Sequence, residues 1–521
     1  MIAPWVRAGT GSVLALLLIG GALPDAASAA PDARREPISM TAPAEVPAYS
    51  TFVVAVVVPP AEGLPRRKAV LTGSRGGTTF APVASWPVAG LGRHSLVVSS
   101  GTTPGRLWLR TVVTGKGLRP QTRTISIRVT NPYRPSVPGD VEIPEQGITV
   151  PGTLFGNHPV AGVPEFAAAV RLWDTSTSWN QIEKARGQYS WDALDRAVAV
   201  AERADQEVLL VLGGTPAWAA VAAAPGSEFA GVGSSMPMTD AVLFEEYVRA
   251  VVTRYGPRIQ AYQIWNEANI ASFWRGTPQL MADLTARAYR VIKEAQPGAT
   301  VVAASTGSRW VKGFTEFYPA YLASLADVGW PIDAYSVHLY PLATGTPRDR
   351  SYLLGLMRTA LRIAAAPAKP IWETEINYGV TNPGLGETAR AIPAEDIPEY
   401  VSRTYLDSLR YGIARTYWYA WTPEYRLLGI QMWNGYPASV AYHQVRDWVV
   451  GATFTGCTTS GVVVQCSFDR GGGPFYVAYT DDASTTQVPA PAGVSVVTTL
   501  EGATSPAGAA VTVGGTPVRI S

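Results

Sequence analysis

Two acidic residues close short strand-like runs in distant parts of the 521-residue chain. Glu267 ends Tyr262-Gln263-Ile264-Trp265-Asn266-Glu267, and Glu375 lies in Ile371-Trp372-Glu373-Thr374-Glu375-Ile376-Asn377. Two similar polar and aromatic ends are Ser336-Val337-His338-Leu339-Tyr340 and Tyr417-Trp418-Tyr419-Ala420-Trp421. A protonated carboxyl facing an ionised one is the equipment for cutting a glycosidic bond. The first donates to the leaving oxygen while the second attacks the anomeric carbon, and a gap of about 5–5.5 Å favours a covalent intermediate and retention of configuration. Period-2 alternation puts Glu373 and Glu375 on one side of their strand, and Glu375 is the one nearer its C-terminal end.

Metal chemistry is the competing use of such groups. Of four His (His94, His158, His338 and His443), His158 and His338 follow strand-like runs and, with Glu267 or Glu375, reach the three protein ligands of a catalytic zinc site. No H-E-x-x-H or comparable spacing supports this, so neither metal nor cofactor is expected. The two Cys, Cys457 and Cys466, are too few for a multi-thiolate centre. Nine residues apart in a strand-like region, they are expected to close a disulfide hairpin.

The elements that must position these groups come from the middle of the chain. Between 151 and 450, strand-like runs at 153–157, 169–173, 207–213, 259–266, 300–305, 334–338, 370–375 and 415–421 alternate with helical patterns. Eight βα units of this length point to a (β/α)8 TIM barrel, an α/β fold whose active site lies at the C-terminal ends of its strands. A doubly wound sheet is the alternative, but no G-x-G-x-x-G turn follows the first strand. Pro278 marks a helix start and Gly256 a helix end. Short strands and Gly/Pro turns over 38–135 suggest an Ig-like β-sandwich, with a Pro-rich linker at 136–150. Residues 452–521 read as a small C-terminal β-domain. The Ala/Gly/Ser-rich stretch 222–238 is long for a βα connection and is expected to form a wall of the cleft.

Residues 1–29 read as a signal peptide: Arg7, an apolar run at 13–19, and Ala27-Ser28-Ala29 as a cleavage site. The run is too short to span a bilayer and nothing later approaches the ~20 apolar residues required. The mature chain is therefore expected to be exported, extracellular or in the cell envelope, without an integral membrane segment. A net charge of +2 excludes nucleic-acid binding by bulk charge. The charge is uneven: residues 31–135 hold 14 Lys/Arg against 4 Asp/Glu, which suits a weak contact with an anionic envelope polymer or, alternatively, a solvated face.

Five motifs, in order, resemble the retaining glycoside hydrolases of clan A, most of all family 39 and related bacterial endo-glycosidases. They are Val170-Arg171-Leu172-Trp173 with Trp179, Gly187, Tyr189, Trp191 and Asp195; Thr215-Pro216-Ala217-Trp218-Ala219; Trp265-Asn266-Glu267-Ala268-Asn269 with Phe273-Trp274; 333–341; and Pro370-Ile371-Trp372-Glu373-Thr374-Glu375. The resemblance spans about 150–450. It implies Glu267 as acid/base and Glu375 as nucleophile, Asn266 as partner of the sugar 2-hydroxyl, and Tyr340 as a donor to the nucleophile. Arg171 would hold the nucleophile ionised, and His338 and Trp421 would line the innermost subsite. Ala268 stands where the family usually has Pro, which removes rigidity but no chemistry. Trp rings stack on sugar faces, which makes Trp218, Trp421 and Trp274 the candidate substrate contacts among 16 Trp. The expected function is hydrolysis of an oligo- or polysaccharide. A non-catalytic glycan-binding or envelope-scaffold protein on the same barrel is the alternative.

Overall fold

The computed structural model describes residues 37–521 except 49, 61–66, 89–91, 102–103, 117, 131–146, 165, 224–230 and 382–388. The signal peptide expected at 1–29 lies outside the described residues, as do most of the linker expected at 136–150 and part of the stretch 222–238. The described residues up to Thr130 form one compact unit, and those from Gly147 onward another.

The second unit contains the barrel. Its strands are β1 (Phe155–Asn157), β2 (Ala169–Leu172), β3 (Glu207–Leu212), β4 (Ala261–Ile264), β5 (Thr300–Val302), β6 (Tyr335–His338), β7 (Ile371–Ile376) and β8 (Ile413–Trp418). All pairs are parallel, in the hydrogen-bonded order β5-β4-β3-β2-β1-β8-β7-β6. Bridges Val302↔Ala334 and Gly307↔His338 link β5 to β6, so the expected (β/α)8 barrel is the observed fold. Helix ends follow their local chemistry. Asp240 caps the helix Ala241–Tyr255 by accepting from Val242 N at 2.9 Å, Gly256 ends it, and Pro278 opens the helix Pro278–Ala295.

The barrel interior is layered, as period-2 strands require. Ala169, Leu209, Ala261, Val302, Ala334, Trp372 and Tyr417 form one buried apolar cluster. The small residues leave room for the two large rings, and Gly156 is part of that fit: a Cβ there would stand 2.5 Å from the Tyr417 ring. Two residues further along β2, β4 and β6 the inward positions turn polar, with Arg171, Gln263 and Ser336.

Strand β7 breaks the pattern. Val337 pairs with Glu373 and the next residue, His338, pairs with Glu375, so β7 carries an extra residue at Thr374. This bulge corrects the expectation that Glu373 and Glu375 share a side, because an extra residue reverses the alternation that follows it. Glu373 faces the helices, ion-paired with Arg350, which also donates to Thr404 O and Ser408 Oγ at 2.8 Å each. Both partners are fully buried. Glu373→Ala therefore leaves an uncompensated buried cation and lowers the unfolding free energy by about 3–5 kcal/mol. Urea unfolding checks this, and a loss below 1 kcal/mol contradicts it.

Beyond the barrel, Thr453–Ser460, Val463–Asp469, Pro474–Thr480, Val496–Thr498, Thr504–Pro506 and Val518–Ile520 form one sheet, joined at its edge by Ile148–Thr149. Cys457 and Cys466 sit directly opposite each other on its first hairpin and are disulfide-bonded. The first unit has a three-stranded sheet (Ser39–Thr41, Thr51–Val58, Gly92–Ser99) and a five-stranded one (Glu45–Pro47, Arg67–Ser74, Ala81–Val88, Gly105–Gly115, Gln121–Thr130). Alternate positions of both are buried, among them Val54, Val56, Leu71, Leu109 and Ile127. Among the described residues no helix is long and apolar enough to cross a membrane.

Candidate active site

After β4 the chain leaves strand geometry. Trp265 (φ 69°) and Glu267 (φ 39°) are both left-handed, a costly conformation for side chains of this size. Alternation alone would send Asn266 and Glu267 to opposite faces, but this turn brings both into the barrel mouth. Packing holds the strained backbone: the Trp265 ring is buried edge-on against Trp274, 4.8 Å between centroids, and its N–H donates to Phe273 O. Ser305, just beyond β5, accepts from Glu267 N through Oγ and from Ala268 N through its carbonyl, each at 2.9 Å.

The two carboxyl groups then meet. His338 Nδ1 lies 3.1 Å from Glu267 Oε1 and 3.4 Å from Glu375 Oε2. One oxygen of each Glu and one His338 nitrogen all fall within 4.8 Å of one another. Their surroundings differ. Glu375 Oε1 accepts from Arg171 Nη1 at 2.5 Å and Oε2 from the Tyr340 hydroxyl at 2.9 Å. Among the described residues Glu267 has no such pair of donors, and burial raises its carboxyl above the usual range although Arg309 and Arg171 oppose this. Close approach at Glu267 needs Gly307, since a Cβ there would come to 3.0 Å from Oε1.

Arg171, wholly buried, orders the rest of the floor. Its Nε donates to Gln263 Oε1 at 2.9 Å and Nη2 to Asn266 Oδ1 at 2.6 Å. A guanidinium only donates, so the Asn266 oxygen must face it and the amide NH2 points elsewhere, with no acceptor among the described residues. Burial pushes His338 down to about 3, so the imidazole is neutral. Its Nε2 lies 3.0 Å from Thr374 Oγ1, which is 2.7 Å from Ser336 Oγ. With the Thr374 hydroxyl donating to Nε2, the one ring proton sits on Nδ1, facing the carboxyls.

Glu267, His338 and Glu375 are also the described group spaced to hold a cation, but Glu375 already shares its oxygens with Arg171 and Tyr340. His158 does not join them. Its Nε2 bonds Asp174, whose other oxygen accepts from the Tyr419 hydroxyl.

The Trp expectations fare unevenly. Trp274 is 3% exposed and packs on Trp265, so it is a wall of the core and not a substrate platform. Trp218 donates its N–H to Glu183 O at 3.0 Å and meets Trp179 edge-on, which commits its polar handle to the fold. Trp421 belongs to the apolar cluster with Ile376, Trp418 and Met432, while its backbone N–H holds His158 O at 2.8 Å. Gln263, Ser305 and Thr374 are among the site residues that were not foreseen. Gln263 is two positions beyond Ala261 on the inward face, a signal available in the sequence. The other two contacts join separate strands and leave no local trace.

Residues 172–347, from the end of β2 to beyond β6, match the model of Glycosyl hydrolase family 10, a match that includes Glu267 and ends before Glu375. Among solved structures, the chain is similar to a family 39 glycoside hydrolase from the gut symbiont Bacteroides cellulosilyticus. Identity is 18%, coverage is 93% of this chain and 99% of that one, and the TM-score is 0.55. It also resembles a family 44 endoglucanase from Clostridium thermocellum (12% identity, 72% and 97% coverage, TM-score 0.48). A family 30 subfamily 8 xylanase from Clostridium acetobutylicum is a third (11%, 72% and 96%, TM-score 0.47). No curated protein matches the chain. The chain shares its fold with the family 39 structure, and that likeness is not confined to the barrel.

Proposed function

We propose that the chain is a secreted, retaining glycoside hydrolase that cleaves an extracellular or cell-envelope glycan by double displacement. The observation that carries this reading is the pair Glu267 and Glu375, with oxygens within 4.8 Å across the barrel mouth and opposite surroundings. Such closeness leaves no room for a water between a base and the sugar, as inversion needs, and suits direct attack. Glu267, whose carboxyl burial raises, donates to the glycosidic oxygen as Glu375 attacks the anomeric carbon. The leaving sugar departs with the proton. Glu267, now ionised, takes a proton from water, which displaces Glu375 and restores both groups. Arg171 and Tyr340 aim the Glu375 oxygens, and the outward amide of Asn266 is placed to bond the 2-hydroxyl. No cofactor enters these steps. Export is supported by the signal-like N-terminus and by the Cys457–Cys466 disulfide, which suits an oxidising compartment.

Activated 2-fluoro glycosides test the nucleophile, because fluorine slows the second displacement and traps the first. A panel of gluco-, xylo- and arabino-configured reagents is expected to yield one adduct per chain, on the peptide carrying Glu375. An adduct on any other carboxylate reassigns the nucleophile, whereas none with the entire panel rejects the assignment and leaves the non-catalytic scaffold.

A further inference from the structure

One face of the N-terminal five-stranded sheet is built unlike a merely solvated surface. Along Gly105–Gly115, alternation sends Leu107, Leu109, Thr111 and Val113 inward, all buried, and Arg106, Trp108 and Arg110 outward. On the neighbouring strand Arg128, Ser126 and Thr124 stand directly opposite those three. On the other side Ser74 and Thr72 stand opposite Trp108 and Arg110. The Arg106 guanidinium lies 5.6 Å from the Trp108 ring centroid, and that of Arg110 lies 3.6 Å from the Phe80 centroid. Arg106 Nη1 donates to Ser126 Oγ at 3.1 Å, and a guanidinium stacked on a ring keeps its other N–H groups for a planar acceptor. Among the described residues neither arginine has a carboxylate partner.

The charge of the unit is one-sided. Its described residues, 37–130, include ten Lys/Arg and a single carboxylate, Glu45, which pairs with Arg128 at 3.1 Å. Arg106 stands across from Arg128, whose charge is balanced by Glu45.

We propose that this face binds an anionic polysaccharide bearing carboxylates. Trp108 stacks on a sugar ring, Arg106 and Arg110 hold carboxylates on either side, and Ser126 and Thr124 meet hydroxyls. Residues two apart on a strand are separated by about 6.6 Å, a spacing on the scale of one sugar unit. Hydroxyls beside the arginines favour a glycan over a nucleic acid. The site lies outside the barrel and does not depend on its chemistry.

Native affinity electrophoresis of the full chain tests this, with polygalacturonate, neutral xylan or RNA cast in the gel. Polygalacturonate is expected to retard the chain, and neutral xylan to do so far less. High salt should weaken the retardation. Trp108→Ala and the double variant Arg106→Gln/Arg110→Gln should each weaken binding about tenfold, one stacked ring or charged contact's worth. Trp108→Phe keeps a ring and most of the binding, which separates lost stacking from lost folding, and circular dichroism monitors all variants. Three results overturn the proposal: no retardation by polygalacturonate, undiminished retardation of folded variants, or stronger retention by RNA. The readout is migration, so it stands whether or not the barrel hydrolyses glycans.

Discussion

Glu375→Gln abolishes turnover, by about 10⁴-fold or more, while the chain stays folded. An amide cannot form the glycosyl-enzyme bond, so the loss falls on kcat for every substrate regardless of leaving group. Glutamine is the informative replacement because Arg171 is wholly buried and donates to Glu375 Oε1 at 2.5 Å. Alanine would strip the guanidinium of its charged partner and leave only the amide oxygens of Gln263 and Asn266, confusing lost chemistry with lost stability. Glutamine keeps an oxygen for Arg171. Steady-state assay on an aryl glycoside, beside thermal unfolding, checks both halves. Activity above about 1% of wild type in the folded variant removes Glu375 as the nucleophile. Glu373 gives the converse: its loss should show first in stability, since it lies on the helix side of the same strand.

Glu267→Ala produces a different pattern, and its shape matters more than its size. Natural glycosides, whose leaving oxygen needs a proton, lose about 10²–10⁴-fold in kcat/KM. A nitrophenyl glycoside, whose leaving group departs as a stable anion, keeps most of its kcat/KM. Its kcat falls because no base remains to activate water, so the intermediate accumulates and KM drops with it. A small anionic nucleophile such as azide, which needs no base, restores turnover. The pH profile carries the same signature. Burial raises the Glu267 carboxyl, so its protonated, acid-competent form persists above the pH at which a free Glu ionises. Activity is lost as pH rises through that raised value, and the alkaline limb therefore lies above the ordinary carboxyl range. Glu267→Gln, which cannot titrate, loses that limb. An equal loss on both substrate classes contradicts the acid/base role.

Much of this organisation is local and so was readable along the chain. The eight strand–helix alternations, the Asp240 and Pro278 helix starts and the Gly256 stop depend on neighbours within a turn or two, and these interactions survive being read one residue at a time. With only two Cys in the chain, their pairing needed no coordinates. The facing of β7 was decided elsewhere. Its bulge exists because Val337 and His338 on β6 pair with Glu373 and Glu375, a register no segment of β7 contains by itself. The same holds for the left-handed Trp265 and Glu267, which run against backbone preference and are held there by Trp274, Phe273 and Ser305. Whether an indole N–H is left for a sugar or taken by a carbonyl, as at Trp218, is likewise settled only when distant segments pack. Composition and spacing thus determined which residue types lie at the strand ends. Burial and pairing across the barrel, which sum over contacts far apart in the chain, decided which way each one points.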